Sequence, residues 1–261
     1  MPCIFGRQLK RLRTWAGLER AELGSRTGYS VSTIASFEQG RRIPSGQFIM
    51  QADEVLGGHG VLLEMIDEME RAQYPGFFRD AAKLEKKAVA LHVFATKAIP
   101  GLLQTEDYAY AVFKMWRPLL DEATIQRRVA ARLDRQDIFD RESLPTLSFV
   151  IEEHLLRRPL GGREVMRGQL EQLLLHGQRR NVEIQVMPTA REEHAGLEGP
   201  FTLIETSEGR RIAYVEAYKN SRLYTDRRTV RELEEQYGVL RAQALTPRES
   251  LALVEKLLGD T

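Results

Sequence analysis

The side chains best suited to chemistry lie within the first 42 residues, where hydrogen-bonding groups occur among positive charges. One set can contact the edges of bases in the DNA major groove: Arg20, Val31, Ser32, Thr33 and Ser36. A second set, of basic residues and one hydroxyl, suits contacts to phosphate: Arg7, Lys10, Arg13, Arg26, Ser30, Arg41 and Arg42. The net charge is +5 over residues 1–46 and −5 over residues 47–71, so one end of this region attracts phosphate and the other repels it.

Residues 20–40 must position those side chains, and their pattern predicts two short helices joined by a tight turn. Gly24 has no side chain at a point where two backbones come close. Gly28 can take the positive φ that ends the first helix, and Ser30 can cap the second. This arrangement is typical of a helix-turn-helix, whose second helix enters the major groove. The alternative is an ordinary helical hairpin.

Further helices complete the predicted first domain. A helix over residues 6–15 turns Leu9, Leu12 and Trp15 inward and its basic side chains, Arg13 among them, outward. Two more are predicted over residues 47–56 and 61–71.

The segments FGRQLKRLR, AGLERAEL and GYSVSTIASFEQGRRIPS, with the apolar fourth helix, carry a family resemblance. Over residues 5–69 the chain resembles the Xre-type (Cro/CI-like) helix-turn-helix repressors, which implies an all-α, five-helix DNA-binding domain. The chain departs from these proteins where it has Glu19-Arg20, because they often have Thr-Gln there. Arg20 can still reach a phosphate or a guanine edge.

The predicted reading face discriminates weakly between bases. Hydroxyls serve donor and acceptor edges alike, and Val31 offers only an apolar contact to a thymine methyl. We therefore expect the basic residues to supply much of the affinity and dimerisation to multiply the specificity. The prediction is a homodimeric repressor on double-stranded DNA, at an inverted repeat whose half-sites lie one or more helical turns of about 34 Å apart.

A Pro-Gly junction at residues 73–76 separates this domain, residues 1–72, from a second domain over residues 76–261. Helices are predicted over residues 77–97, from Thr105 to Trp116, over 121–140 with its arginines outward, over 163–177, and in two segments near the C-terminus. Strands are predicted over residues 147–151, 182–187, 201–204, 212–218 and 222–224. The order strand-helix-strand implies a parallel pair of strands, and the later hairpin implies an antiparallel pair. We therefore expect an α+β domain with a mixed sheet of about four to five strands and flanking helices.

The motifs IPGLLQTEDYA, VIEEHLLRR, NVEIQVMP, GPFTLIE, AYVEAY and ALTPRESLALVEKLL carry a second resemblance. From Gly76 to Leu258 the chain resembles the carboxy-terminal domain of uncharacterised function in actinobacterial Xre-family regulators, an antitoxin-like group that includes the WhiJ type. The resemblance implies pairing with a small protein encoded nearby, and it does not reveal the chemistry of the domain.

The strongest enzyme-like cluster is Glu152-Glu153-His154, at the end of a buried strand. Adding Glu205, Glu216 or Asp226 gives a carboxylate-histidine set for a metal-dependent hydrolase. The spacing does not demand a metal site, because neighbouring residues of a strand face opposite ways and the other histidines are scattered. We expect no enzyme activity, no metal and no cofactor.

A receptor role suits the second domain better, because the loop over residues 189–200 is long, charged and bears glycine. The candidate contacts to a partner protein or a small-molecule effector are Glu152, His154, His194, Tyr214, Tyr218 and Tyr224. The alternative is a mobile surface loop.

The composition fits a globular protein of the cytoplasm, with 43% hydrophobic and 29% charged residues. No apolar run approaches the roughly 20 residues of a membrane span. Cys3 is the single cysteine, which excludes an internal disulfide.

Overall fold

The computed structural model describes residues 2–66, 68–69, 79–216 and 221–260. Contacts group the chain into two compact units. The first comprises Met1–Arg79 and Pro118–Ala131, and the second comprises Asp80–Arg117 and Arg132–Thr261.

The first unit opens with short helices around an apolar core. They are α1 (Pro2–Trp15), α2 (Arg20–Thr27), α3 (Val31–Glu38) and α4 (Gly46–Val55). A 3-10 turn follows at Leu63–Met65, and residues 66, 68 and 69 are helical. Residues 67, 70 and 71 of the predicted fifth helix lie outside the described residues.

The core of the first unit joins all four helices. Its largest buried side chains come from each of them: Phe5, Leu9, Leu23, Ile34, Phe37, Phe48 and Ile49. The inward position predicted for Trp15 is wrong, because its ring is 69% exposed and stacks under the Arg11 guanidinium at 4.3 Å. The outward position predicted for Arg13 is also wrong, since this residue is only 7% exposed.

Helices and strands alternate along the rest of the chain. The helices are α5 (Arg79–Glu85), α6 (Glu106–Lys114), α7 (Glu122–Leu133), α8 (Glu153–Arg157), α9 (Arg163–Gly177), α10 (Arg227–Gln243) and α11 (Pro247–Gly259). The strands are β1 (Ala88–Ala95), β2 (Thr146–Glu152), β3 (Val182–Met187), β4 (Phe201–Thr206), β5 (Arg211–Val215) and β6 (Arg222–Tyr224). Short 3-10 segments lie at Gly101–Leu103 and Asp134–Asp140.

The strands form one mixed sheet in the order β3-β2-β1-β4-β5-β6. The pairs β1–β2 and β2–β3 are parallel, and the pairs β1–β4, β4–β5 and β5–β6 are antiparallel. The α+β class, the parallel pair and the later hairpin are therefore confirmed, and the sheet has six strands where four to five were predicted.

The additional strand is β1, for which a helix over residues 77–97 was predicted. That prediction is wrong for Ala88–Ala95, which lies between β2 and β4. A strand inside a sheet that is covered on both faces needs no alternation of apolar and polar residues. The apolar run AVALHVFA therefore looked equally suited to a buried helix.

Both faces of the sheet are covered. On one face, side chains of β1, β2 and β3 pack with α9 and α11, through residues such as Leu170, Leu173 and Val254. On the other face, Phe94, Val150 and Phe201 pack with Val230, Tyr237 and Leu240 of α10. The two faces alternate residue by residue along each strand, as a pleated strand requires.

The β3 edge of the sheet is closed by the connection between α10 and α11. The Val186 amide donates to Ser250 Oγ at 2.9 Å, and the Leu245 amide donates to the Val186 carbonyl at 2.9 Å. Helix α11 begins with a capping box, with Thr246 at the N-cap and Glu249 three residues later. The backbone of Val186 at this edge is thus paired without a further strand.

The long helix predicted over residues 121–140 is α-helical only as far as Leu133 and continues as the 3-10 segment Asp134–Asp140. Ile125 and Val129 are buried. Arg132 and Arg135 do not point outward as predicted, because they hydrogen-bond to Gln104 and Glu85.

Candidate nucleic-acid interface

The turn between α2 and α3 has the local geometry that its sequence predicts. Gly28 has φ +77° and ends α2 in the left-handed region, where glycine is favoured. The Tyr29 amide donates to the Gly24 carbonyl at 2.9 Å. A Cβ at Gly24 would collide with the Tyr29 carbonyl oxygen, so only glycine fits where α2 approaches the turn that leads into α3.

Helix α3 starts from a hydroxyl cap and presents its first turn to solvent. Ser30 Oγ accepts the Thr33 amide at 3.2 Å, which confirms the predicted N-cap. Val31 is 51% exposed, Ser32 is exposed, and Thr33 and Ser36 are half-buried. The opposite side of the helix is held in the core by Ile34 and Phe37.

The hydroxyls on this face already take part in hydrogen bonds within the helix. Ser30 Oγ lies 2.9 Å from both Ser32 Oγ and Thr33 Oγ1, and Ser36 Oγ donates to the Ser32 carbonyl at 2.9 Å. A base edge must therefore share or replace these bonds, whereas Val31 meets no such competition. The face is small, mildly polar and uncharged.

Most of the predicted phosphate contacts are accessible to solvent. Arg7, Lys10, Arg26, Ser30 and Arg41 are all exposed. Arg42 is half-buried, and its guanidinium lies 5.9 Å from the centre of the Phe37 ring.

Arg13 and Arg20 are instead bound to one buried carboxylate. Glu38, whose side chain is 1% exposed, accepts Arg13 Nε at 2.6 Å and Arg20 Nε at 2.7 Å. Arg13 Nη1 also donates to the Leu18 carbonyl at 2.6 Å. The assignment of Arg13 to phosphate is therefore corrected, because its charge is compensated inside the unit. Arg20, with a side chain that is 36% exposed, is held by Glu38 near the reading face.

Glu38 had no part in the sequence interpretation, although it joins the last residue of α3 to both α1 and α2. The sequence signal for Glu38 was a charged residue among apolar ones near the end of a short helix. The Glu19-Arg20 departure has a structural explanation as well. Glu19 is the N-cap of α2, and its amide donates to Glu22 Oε2 at 3.0 Å.

The second unit brings together only some of the residues that were predicted to contact a partner protein or an effector. His194 Nε2 lies 2.6 Å from Glu152 Oε1, and both side chains are largely buried. The Gly196 amide donates to His194 Nδ1 at 2.9 Å, so the neutral tautomer carries its proton on Nε2 and donates it to Glu152. Both ring nitrogens are engaged, which leaves neither free to serve as a general base.

Hydrogen bonds hold the loop over residues 189–200 against neighbouring elements. The Thr189 amide donates to Glu153 Oε2 at 2.9 Å. The Ala195 amide donates to Gln243 Oε1 at 2.9 Å, and the Ala195 carbonyl accepts Gln236 Nε2 at 2.6 Å. A side chain at Gly196 would collide with the Phe94 ring. Leu197, which follows, is 88% exposed, so the loop presents an apolar side chain from a fixed backbone.

The other candidates in this set lie apart. His154 is exposed on α8. Tyr214 is 2% exposed, and burial raises its pKa to about 12. Tyr224 packs against the core on the α10 side, whereas Tyr214 alternates with Ala213 and faces the other side of the sheet. Tyr218 lies outside the described residues. Among the residues that the structure describes, no group of three or more His, Cys, Asp or Glu side chains is placed to hold a metal ion.

Two protein-family models match the chain. Residues 4–65 match a helix-turn-helix domain, and residues 78–256, more than half of the chain, match a domain of unknown function, DUF5753. The chain belongs to the DUF5753 family. In this DUF5753 protein the predicted order of a helix-turn-helix and a C-terminal domain of uncharacterised function is confirmed. No curated protein and no solved structure matched it.

The helix-turn-helix makes this DUF5753 protein a DNA-binding regulator. Among the helices that the structure describes, none has the length and apolar character to cross a bilayer.

Proposed function

We propose that the chain is a dimeric, non-enzymatic, cytoplasmic repressor of the Xre and WhiJ-like, antitoxin-related type, bound to an inverted repeat. Its C-terminal domain, residues 76–261, receives a small partner protein. The observation that carries the proposal is the face of α3, which exposes Val31 and Ser32 beside hydroxyls that bond to one another. Such a face discriminates weakly between bases, so a second copy on a second half-site supplies the specificity.

Exposed cations around α3 supply the affinity in this proposal. Each phosphate neutralised by lysine or arginine releases counterions, and the logarithm of the binding constant falls by about 0.9 per contact for each tenfold rise in salt. Arg26 and Arg41 are the clearest test positions, because both are exposed and neither is needed for the Glu38 network.

The experiment begins with selection of bound duplexes from a random pool, followed by fluorescence anisotropy on the selected site across a salt series. The double change Arg26→Gln and Arg41→Gln should lower affinity on selected and unrelated DNA alike and reduce the salt slope by about two units. Arg248→Gln, an exposed arginine on α11, is the matched control and should change neither quantity.

Dimeric binding is tested by comparing a duplex with both selected half-sites to one with a single half-site. Cooperative binding to the first and much weaker binding to the second support the dimer. Equal affinity for the two duplexes, with one chain per duplex, overturns it. A promoter fusion that carries the site should gain transcription when the chain is removed; a loss would make the protein an activator.

The pinned loop supports a protein partner. An apolar side chain held on a fixed backbone loses little conformational entropy on docking, and such preorganised residues serve as anchors at interfaces. We expect Leu197→Ser to weaken binding of the small protein encoded nearby by at least about tenfold, or 1.4 kcal/mol, in calorimetry. Leu144→Ser is the control, since Leu144 is also exposed, at 52%, but lies elsewhere in the second unit. Equal binding by both variants would show that the loop is not part of the interface.

A small-molecule effector is the alternative, and one observation favours it. The second unit has an open cavity of about 270 Å³ that apolar and charged residues line: Leu156, Arg157, Pro159, Arg163, Met166, Leu257 and Asp260. A ligand-induced thermal shift in the absence of any protein partner, abolished by Met166→Trp, supports this alternative.

A further inference from the structure

The open cavity of the second unit lies where α8, the turn that follows it, α9 and the end of α11 meet. Its volume of about 270 Å³ is just below the range of roughly 300–1,000 Å³ that is usual for drug-sized ligands, so it suits a smaller molecule. The lining residues are Leu156 and Arg157 of α8, Pro159 of the turn, Arg163 and Met166 of α9, Leu257 of α11, and Asp260.

Three of the lining side chains belong to the apolar core of the unit. Leu156, Met166 and Leu257 are buried and pack in one cluster with side chains of the sheet. Their positions are therefore set by the fold before any ligand arrives. A ligand that covers them with hydrocarbon gains free energy in proportion to the apolar area that leaves water.

The turn between α8 and α9 is fixed as well. The Gly162 amide donates to the Pro159 carbonyl at 3.0 Å, and Gly161 has φ +83°, which favours glycine. A Cβ at Gly161 would lie only 2.9 Å from Ala111 Cβ, so the turn approaches α6 closely. Pro159 and Arg163, on either side of these glycines, are thus held at the cavity by a defined backbone.

Arg157 brings no uncompensated charge to the cavity. Its Nε and Nη2 lie 2.7 and 2.6 Å from Glu153 Oε1. Glu153 is held in turn, because its Oε2 accepts the Thr189 amide at 2.9 Å. The pair leaves the other two charged residues of the cavity to decide which ligand charges it accepts.

Arg163 and Asp260 differ from Arg157, because neither forms an ion pair in the part of the chain that the structure describes. Both residues are exposed and both line the cavity, yet they are not paired with each other. One positive and one negative group are therefore available beside the same apolar side chains.

We propose that this cavity binds an apolar α-amino acid. Its carboxylate binds Arg163, its ammonium group binds Asp260, and its side chain covers the apolar residues. A guanidinium matches a carboxylate through two parallel hydrogen bonds, and hydrogen bonds between charged groups are stronger than neutral ones. A ligand of a single charge would match only one of the two groups. The inference rests on the effector alternative and names the class of ligand for that same cavity.

Isothermal titration calorimetry of the full chain with L-phenylalanine tests the proposal against analogues that each lack one part. 3-Phenylpropanoate lacks the ammonium group, 2-phenylethylamine lacks the carboxylate, and glycine lacks the apolar side chain. We expect each analogue to bind at least about tenfold more weakly, or 1.4 kcal/mol. Equal affinity for any analogue, or no binding of phenylalanine or the smaller L-leucine, overturns the proposal.

Variants of the charged residues show whether each ligand group binds where it is placed. Arg163→Gln should weaken phenylalanine binding about tenfold and leave 2-phenylethylamine unchanged, because only the carboxylate contact is lost. Asp260→Asn should weaken phenylalanine binding and leave 3-phenylpropanoate unchanged. Arg167→Gln is the matched control, since Arg167 is an exposed arginine of α9 outside the cavity lining. Equal phenylalanine affinity in Arg163→Gln and Arg167→Gln would contradict the assignment.

A failure of the ligand class can be told apart from a failure of the effector function. Calorimetry measures binding without DNA, whereas fluorescence anisotropy on the selected duplex, with and without phenylalanine, measures regulation. Binding that leaves the DNA affinity unchanged supports the amino-acid site and overturns its effector function. A thermal shift by another small molecule, with no binding of either amino acid, keeps the effector function and overturns the ligand class.

Discussion

At the scale of single residues, Glu38 has the most consequences for the first unit. Its buried carboxylate binds Arg13 from α1 and Arg20 from α2, while Glu38 itself ends α3. Removing one partner of a buried ion pair leaves a charge without compensation, which costs more than the pair contributes when intact. We therefore expect Glu38 to affect DNA binding by positioning α3 and not by contact.

We predict that Glu38→Gln lowers the free energy of unfolding of the first unit by roughly 3–5 kcal/mol, because Arg13 stays buried beside a neutral amide. Urea denaturation measures this loss. Glu54→Gln, at an exposed position of α4, is the control and should change stability by less than about 0.5 kcal/mol. A loss below about 1 kcal/mol for Glu38→Gln would show that the pair is not stabilising.

At the scale of elements, the packing of α2 on α3 depends on the absence of a side chain at Gly24. Gly168, inside α9, offers the opposite case, since a Cβ there would meet nothing within 4 Å. The same substitution should therefore have opposite effects in the two helices.

We predict that Gly24→Ala destabilises the first unit by roughly 1–3 kcal/mol through overpacking and weakens binding to the selected DNA site. Gly168→Ala should stabilise its helix by up to about 1 kcal/mol, because alanine restricts the unfolded chain. Thermal unfolding of both variants measures whether each substitution lowers or raises stability. Stabilisation by Gly24→Ala would mean that the helices do not approach as closely as described.

The closed edge of the sheet gives a prediction for β3. Ser250→Ala should cost about 1–3 kcal/mol, because it leaves the buried Val186 amide without an acceptor. Ser207→Ala, in the exposed turn between β4 and β5, should be nearly neutral. Chemical denaturation distinguishes them, and equal stability of the two variants would contradict the role given to Ser250.

Element prediction from the sequence succeeded where local chemistry decides the conformation. The turn at Gly28, the cap at Ser30 and the box at Thr246 each follow from one or two side chains. It failed at β1, whose strand partners β2 and β4 come much later in the chain. It failed also at Arg13, because the carboxylate that turns this residue inward comes from another helix.

At the scale of the whole molecule, the buried histidines belong to the second unit. Burial, followed by the charge of Arg179, lowers the pKa of His176 to about 4. Burial, followed by Arg241, lowers the pKa of His92. An unfolded histidine titrates near 6.5, so between about pH 6.5 and 4 the unfolded chain binds protons that the folded unit does not. Stability is therefore full above about pH 6.5 and falls as the pH drops.

We predict that His176→Gln removes part of this acid sensitivity, which reaches about 1.4 kcal/mol per pH unit for each histidine. Urea denaturation at several pH values, followed by Trp116 fluorescence in a Trp15→Phe background, reports the second unit. His154→Gln, at an exposed histidine, should leave the slope unchanged. The same slope in the natural chain and in His176→Gln would show that His176 does not contribute to the acid sensitivity.

The exposed face of α3 has a consequence for divergence among related regulators. Val31 and Ser32 direct their side chains to solvent, while Ile34 and Phe37 hold the helix in the core. The residues that we propose to choose the DNA site are thus separate from the residues that hold the fold. After a gene duplication, changes at these two positions can redirect a copy to a new site at little cost in stability, so new regulatory circuits can arise without rebuilding the domain.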